Sequence, residues 1–481
     1  MTRLLTILLL TLSIHGTAIA QYPKREFRGA WLSTVYQSGY AARSSAENQA
    51  YLRDQLDRLQ AVGINAIIFQ VRPSADAFYK SSIEPWSRFL TGTAGKAPSP
   101  AWDPLQFMTD ECHRRGMEIH AWINPYRITT SAREQLPANH IARTHPQLTV
   151  TYAGKLYFNP GLPENRRHIL KVIDDIVNRY DIDGIHFDDY FYPYPVKGAR
   201  FNDDAAFKRY GQGSSIADWR RANVDSLIKE VHLLIESTKP WIRFGISPFG
   251  IWRNRSSHPS GSDTSGLQNY DDLYADVILW AQNGWTDYML PQLYWEYNHP
   301  KAAYATLIGW WADNSCGRHL YIGQDVKRTA DSRELAVKLR DQRRLQGIHG
   351  SCWWPGYSLT DPQYKSLADS LSSDHHDSRA LVPAYPWICD DIPNAPENPA
   401  FDGHAIRWTA PKHQGKSSDV VKWVVYRFDD PENIDIDDPC AIEAITGDPE
   451  FIPRNEGIYT VTALNRVNTE SEAAIPIMII F

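Results

Sequence analysis

Between Phe27 and Leu371, short apolar runs alternate with segments whose apolar positions recur every three or four residues. Eight of the runs read as strands: Phe27–Val35, Ile64–Arg72, Glu118–Tyr126, Gly184–Tyr190, Arg243–Phe249, Tyr288–Trp295, Leu320–Val326 and Gly350–Trp354. The intervening segments keep a helical period, as in Leu52, Leu56, Leu59 and Val62, or Ile169, Val172, Ile173, Ile176, Val177 and Tyr180. Gly63, Gly116, Gly184, Gly284 and Gly347 stand where a helix would close before the next strand. Eight β–α units predict an α/β chain folded as a (β/α)8 TIM barrel over residues 21–375. A doubly wound open sheet is the alternative. It would want a phosphate-binding glycine loop after the first strand, and Phe27–Tyr40 carries no GxGxxG.

After Leu371 the helical period stops. Residues 376–399 are polar, then proline-rich, and read as a linker or as the first strand of the next domain. Within 400–481, the runs Ala405–Trp408, Lys422–Phe428, Ala441–Ile445, Gly457–Asn465 and Ala474–Ile480 predict a small all-β sandwich of the immunoglobulin or fibronectin kind. At the other end, Arg3, the apolar stretch Leu4–Leu12 and Ala18-Ile19-Ala20 have the layout of a secretory signal over residues 1–20. The apolar stretch is shorter than the ~20 residues that span a bilayer. No Cys follows the expected cleavage point, so neither a membrane span nor a lipid anchor is expected in the mature chain. The expectation is an exported protein, periplasmic or extracellular.

Composition narrows this picture. With 43% hydrophobic and 22% charged residues in 481, the chain is globular. A formal charge of −6, mixed along the sequence, excludes a basic nucleic-acid-binding surface as the theme. Five widely spaced cysteines give neither a disulfide framework nor a zinc-ligand spacing. The 17 Trp, 25 Tyr and 16 Phe are more than core packing calls for.

The chemistry-bearing residues gather at the C-terminal ends of the strands, where barrels place their sites. By strand parity, Gln70 and Arg72 share a face, as do Trp122, Asn124 and Tyr126, then His186 and Asp188, then Gln292, Tyr294 and Glu296. Two carboxyls across one pocket suit glycoside hydrolysis. Asp188 and Glu296 are the expected pair, with Asp189 a substitute for the first and Asp325 for the second. Arg72 would hold a carboxylate ionised or bind a sugar acid. Trp31, Tyr126, Tyr190, Trp295, Trp353 and Trp354 would stack on sugar rings, with Asn124, His186, Gln292, Tyr294 and Asp325 as polar contacts. No cofactor is expected. His186-x-Asp188-Asp189 leaves a metal-dependent deacetylase or phosphoesterase open, although the remaining barrel histidines form no ligand pair. A barrel that binds glycan without cutting it is a further alternative.

Several stretches together resemble the glycosyl-hydrolase-like family 10 proteins. They are Phe27-Arg28-Gly29-Ala30-Trp31, Phe69-Gln70-Val71-Arg72-Pro73, His120-Ala121-Trp122-Ile123-Asn124-Pro125-Tyr126, Asn159-Pro160-Gly161, Asp183 through Pro193, and Pro291-Gln292-Leu293-Tyr294-Trp295. The likeness covers about Lys24–Ser372. It implies an exported bacterial envelope protein with a (β/α)8 barrel, and a glycoside hydrolase acting on a polysaccharide, at least some members cutting peptidoglycan strands stripped of their peptides. The catalytic carry-over rests on Phe187-Asp188-Asp189-Tyr190. Glu296 comes from parity alone. The C-terminal runs Val424–Phe428 and Tyr459–Asn465 are similar to a fibronectin type III-like module.

Overall fold

The computed structural model describes residues 22–36, 39–411 and 418–481. The expected export signal, residues 1–20, lies outside the described residues. Eight parallel strands close into a barrel: β1 (Phe27–Leu32), β2 (Ala66–Arg72), β3 (Glu118–Ile123), β4 (Gly184–Phe187), β5 (Arg243–Ile246), β6 (Tyr288–Met289), β7 (His319–Asp325) and β8 (Ile348–Trp354). Sequential strands are neighbours throughout, and β8 returns to pair with β1. The fold class is therefore the (β/α)8 barrel. Helices cover its outside, so strands such as β2 are buried on both faces, and Ala66–Phe69 reads as an unbroken apolar run before Gln70 and Arg72 at the strand's end. The helix Ser45–Ala61 shows how the outer layer forms. Ser44 and Glu47 close a reciprocal capping box at its start, and Leu52, Leu56 and Leu59 are its buried stripe.

The expected strands run too long at their C-terminal ends. The ladder stops at Ile123 in β3, Phe187 in β4 and Met289 in β6, not at Tyr126, Tyr190 and Trp295. The apolar and aromatic residues beyond those points leave the sheet and build the mouth of the barrel. Parity extrapolated past the last ladder pair therefore misplaces side chains.

Inside the barrel the filling is layered. Phe27 stacks on Tyr321 at 4.0 Å, and Tyr288 lies beside them. Two glycines make room for these side chains. A Cβ on Gly245 would lie 1.9 Å from the Tyr288 ring, and one on Gly184 would lie 2.5 Å from His120 Nδ1. The Tyr288 hydroxyl consequently sits between two imidazoles, 2.8 Å from His120 Nδ1 and 2.9 Å from His186 Nδ1.

The C-terminal region holds two antiparallel sheets. Strands β9 (Glu397–Phe401), β10 (Ile406–Thr409), β11 (Val420–Phe428), β12 (Ile442–Thr446), β13 (Glu450–Phe451), β14 (Gly457–Asn465) and β15 (Ile477–Ile479) pair as β9-β10-β13 and β12-β11-β14-β15. Strand β9 falls at the end of the proline-rich stretch, and the two-residue β13 is too short to leave a pattern. Trp423 and Val425 face the sandwich core with Trp408 and Tyr459. Val424 and Tyr426 face the other way and pack with Leu381. Both faces of β11 are thus covered, which explains its uninterrupted run of large apolar residues.

The sandwich closes the N-terminal end of the barrel. Glu118, fully buried, pairs with Arg243 and accepts Asn468 Nδ2 at 2.8 Å, with Lys422 at 3.7 Å. The Arg243 guanidinium beside it holds the Glu118 carboxyl well below its usual range despite burial. Residues 380–388 join the same layer: Leu381 bonds Lys24 and Glu26 along the backbone, and Trp387 Nε1 donates to Asp287 at 2.9 Å.

Gly245→Ala should lower stability by about 1–3 kcal/mol, because its new methyl displaces the Tyr288 ring within a packed interior. Denaturant unfolding checks this. A variant as stable as the parent would contradict the close approach described.

Candidate active site

The site is built at the C-terminal ends of the strands, where no further ladder competes for the side chains. A cleft of about 360 Å³ opens there between aromatic walls formed by Trp31, Trp122, Tyr190, Tyr294 and Trp354. Asp188 and Asp189, the two residues after β4, both line it. Because the strand ends at Phe187, alternation no longer sends them to opposite faces.

The two carboxyls are held by different elements. Asp188 accepts Trp122 Nε1 at 3.2 Å, from within β3, and Asn124 Nδ2, from the residue just past that strand. The Asn124 amide is oriented by its own partners: its Oδ1 accepts Gln70 Nε2 at 2.6 Å and Arg127 Nη2 at 3.0 Å. Only its N–H group is left for Asp188. Asp189 accepts the Tyr194 hydroxyl and is bonded by Gln292, from the sixth strand's end. Asp188 and Asp189 are 4% and 2% exposed. Burial lifts both above the usual carboxylate range, and Asp189 lifts Asp188 further by like charge. Arg127, its guanidinium 5.4 Å from the Tyr190 ring centre, pulls both the other way.

Beneath the floor lies His186. Trp31 Nε1 can only donate, so His186 Nε2, 3.2 Å away, accepts, and Ser247 Oγ at 3.1 Å gives a second bond to that nitrogen. His186 Nδ1–H then donates to Tyr288, whose hydroxyl donates to His120 Nδ1, and His120 Nε2 donates to Glu118 at 3.2 Å. Burial and the neighbouring His120 depress the His186 pKa well below its usual value, so it is neutral. Both its ring nitrogens are engaged within the barrel. Among the described residues, no three His, Cys, Asp or Glu side chains converge as a metal site.

The expected site residues divide cleanly. Asp188, Asp189, Trp31, Tyr190, Gln292, Tyr294 and Trp354 line the cleft, and Asn124 and His186 support it from below. Six others are placed elsewhere. Glu296 is exposed and does not line the cleft; the chain beyond β6 has left the strand, and the Glu296 carbonyl accepts Tyr304 N at 3.1 Å instead. Arg72 is fully buried in a two-point pair with Glu84, at 2.7 and 2.6 Å, and donates to the Asn124 carbonyl at 2.6 Å. It does hold a carboxylate ionised, Glu84 at about 2, but that carboxylate lies outside the cleft in the connection after β2, and Arg72 itself braces the chain after β3 through the Asn124 and Pro125 carbonyls. Tyr126 sits 1% exposed in the outer core, three residues past the end of β3. Trp353 is fully buried in the same core, since its neighbour Trp354 takes the inward position. Trp295 packs edge-on to Phe249 at 5.4 Å. Asp325 caps the helix Val326–Ser332, accepting Arg328 N at 2.7 Å.

Arg127, Tyr194 and Ser247 have no counterpart among the expected site residues. Ser247 was within reach of parity, because Arg243, Gly245 and Ser247 alternate along the fifth strand. Arg127 and Tyr194 sit in loops whose path no local pattern specifies.

Residues 26–337 match the profile of a family described as glycosyl hydrolase-like 10. The chain belongs to the glycosyl hydrolase-like 10 family. Among relatives, it is 37% identical to the glycosyl hydrolase YngK of Bacillus subtilis, with 96% of each chain covered. It is 40% identical to the glycosyl hydrolase DigH of Escherichia coli K12, over 64% of this chain and 74% of that one. The fold of this glycosyl hydrolase-like 10 protein is similar to the glycoside hydrolase domain of PgaB from Bordetella bronchiseptica. The TM-score is 0.50 at 12% identity, over 72% of this chain and 99% of that one.

The buried pair makes a stability statement. The Asp188 pKa is raised in the folded state, so ionising it there costs stability that appears above the unfolded carboxyl's range and is complete above the folded value. Asn carries no such cost, and its Oδ1 still accepts from Trp122 and Asn124. Asp188→Asn should therefore raise Tm at about pH 8 and raise it less at about pH 4.5. Calorimetry at the two pH values checks this, and a variant whose Tm gain is the same at both would contradict it.

Proposed function

We propose that this protein is an exported glycoside hydrolase that cuts O-glycosidic bonds in a bacterial envelope glycan, with peptide-free peptidoglycan strands as its substrate. The observation that carries the reading is the Asp188–Asp189 pair, two buried carboxyls of raised pKa in an aromatic cleft. Neighbouring acids that repel share a proton into the neutral range, where an ordinary carboxyl has lost it. Glycosidic cleavage needs such a proton at the leaving oxygen. Indole and phenol rings along the walls give flat apolar faces for sugar rings, while Gln292 and Arg127 supply hydrogen bonds at the edge. The relatives' names, glycosyl hydrolases, support the same class. The leader-like residues 1–20 and the family resemblance support an envelope substrate.

Asp188→Asn should reduce reducing-end release from peptide-free glycan strands by at least about 10²-fold, the low end for general acid catalysis. Circular dichroism would show the fold intact. Undiminished release would overturn the assignment, and glycan retention without turnover by either protein would identify a binding protein instead. For export, N-terminal sequencing of the mature protein should begin at Gln21, whereas an intact Met1 would count against the leader.

A further inference from the structure

Glycoside cleavage with two protein carboxyls places them on opposite sides of the scissile bond, about 5–5.5 Å apart for a protein nucleophile or about 6.5–9.5 Å apart with an intervening water. Among the described residues, no strand other than β4 supplies a carboxyl to this cleft. Among the described residues, the carboxyls lining it are Asp188 and Asp189 alone, and the undescribed segments contain no Asp or Glu. Both follow the end of β4 as consecutive residues, so both enter the cleft from that one strand. The two acidic alternatives on the far side are elsewhere: Glu296 points to solvent and Asp325 caps a helix. Each member of the pair also has its own fixed donors, Trp122 and Asn124 on one side, Tyr194 and Gln292 on the other, so neither is free to swing across.

We infer that the nucleophile is supplied by the substrate: the carbonyl oxygen of a 2-acetamido group on the sugar whose bond is cut, with Asp188 and Asp189 acting together on that sugar from one side. The inference rests on the glycosidase reading and makes the acetamido group a requirement for it. In the first step the acetamido oxygen bonds to C1 as the C1–O glycosidic bond breaks. The proton shared by the pair passes to the departing oxygen, and the carboxylates left charged accept the acetamide N–H and balance the positive oxazolinium ring. In the second step water bonds to C1 from the vacated side, its proton returns to the pair, and the C1–O bond of the ring breaks to restore the acetamide. The sum is glycoside plus water to two sugars, with the anomeric configuration retained. A nucleophile already tethered to the reacting sugar has the proximity advantage that a protein carboxylate would otherwise supply. Trp31, Trp122, Tyr294 and Trp354 form a ring-walled recess beside the pair, apolar enough to receive the acetamide methyl.

The experiment gives the wild-type protein four polymers: peptide-free wall glycan, chitohexaose, the same wall glycan after chemical de-N-acetylation, and cellohexaose. Reducing ends are measured, and the anomer first formed is read by proton NMR. At least one N-acetylated polymer should be cut with retention, and the de-N-acetylated strands and cellohexaose at least about 100-fold more slowly. Comparable cutting of the de-N-acetylated strands, an inverted first product, or cutting of cellohexaose alone would overturn the inference while leaving the glycosidase reading standing. No cutting of any polymer would overturn both.

Discussion

Two carboxyl groups on consecutive residues, both shut away from water, repel each other and are each penalised by burial. Left alone, such a pair would turn outward to solvent. It stays because the surrounding strands deliver donors in fixed positions: Trp122 near the end of β3 and Asn124 just past it, Tyr194 in the loop beyond β4, and Gln292 past β6. Those donors hold the pair without neutralising it. Arg127 lowers both carboxyls but does not offset their burial, so the pair keeps a proton available.

The same logic continues downward. Asn124 can clamp Asp188 only because Gln70 and Arg127 occupy its oxygen and Arg72 grips its carbonyl. Arg72 in turn is charge-balanced by Glu84, which His168 also meets at 2.8 Å. Along the axis, the one-way donor Trp31 sets the direction of a chain through His186, Tyr288 and His120 to Glu118. There the sandwich contributes Asn468 and Lys422. The C-terminal domain is thus part of the barrel's closed end, and buried charge at one end of the axis is matched by buried carboxyls at the other.

The eight-strand alternation was legible because strands covered on both faces and amphipathic helices leave different periods in the sequence. Asp188, Asp189, Trp31, Gln292 and Trp354 were legible as cleft residues because they sit at strand ends. Glu296, Tyr126 and Trp353 were not, for one reason: parity holds only while the ladder holds, and it cannot say which of two neighbouring residues turns inward at a strand's last pair. Arg72 shows a different limit. An arginine at a strand end carries no local sign of whether its carboxylate partner is a ligand or, like Glu84, a buried residue twelve positions on. Arg127 and Tyr194 depend on loop paths set by tertiary contacts.

Asp188 and Asp189 should titrate as one buried, mutually repelling pair. Carboxyl titration by 13C NMR or infrared difference spectroscopy, on the wild type and on Asp189→Asn, tests it directly. In the wild type, a carboxyl should remain protonated well above the ordinary Asp and Glu range of about 3.9–4.3. In Asp189→Asn, the Asp188 transition should move to lower pH, because the neighbouring negative charge that opposed its ionisation is gone. Two carboxyls titrating in the ordinary range, with Asp188 unmoved by the substitution, would contradict it.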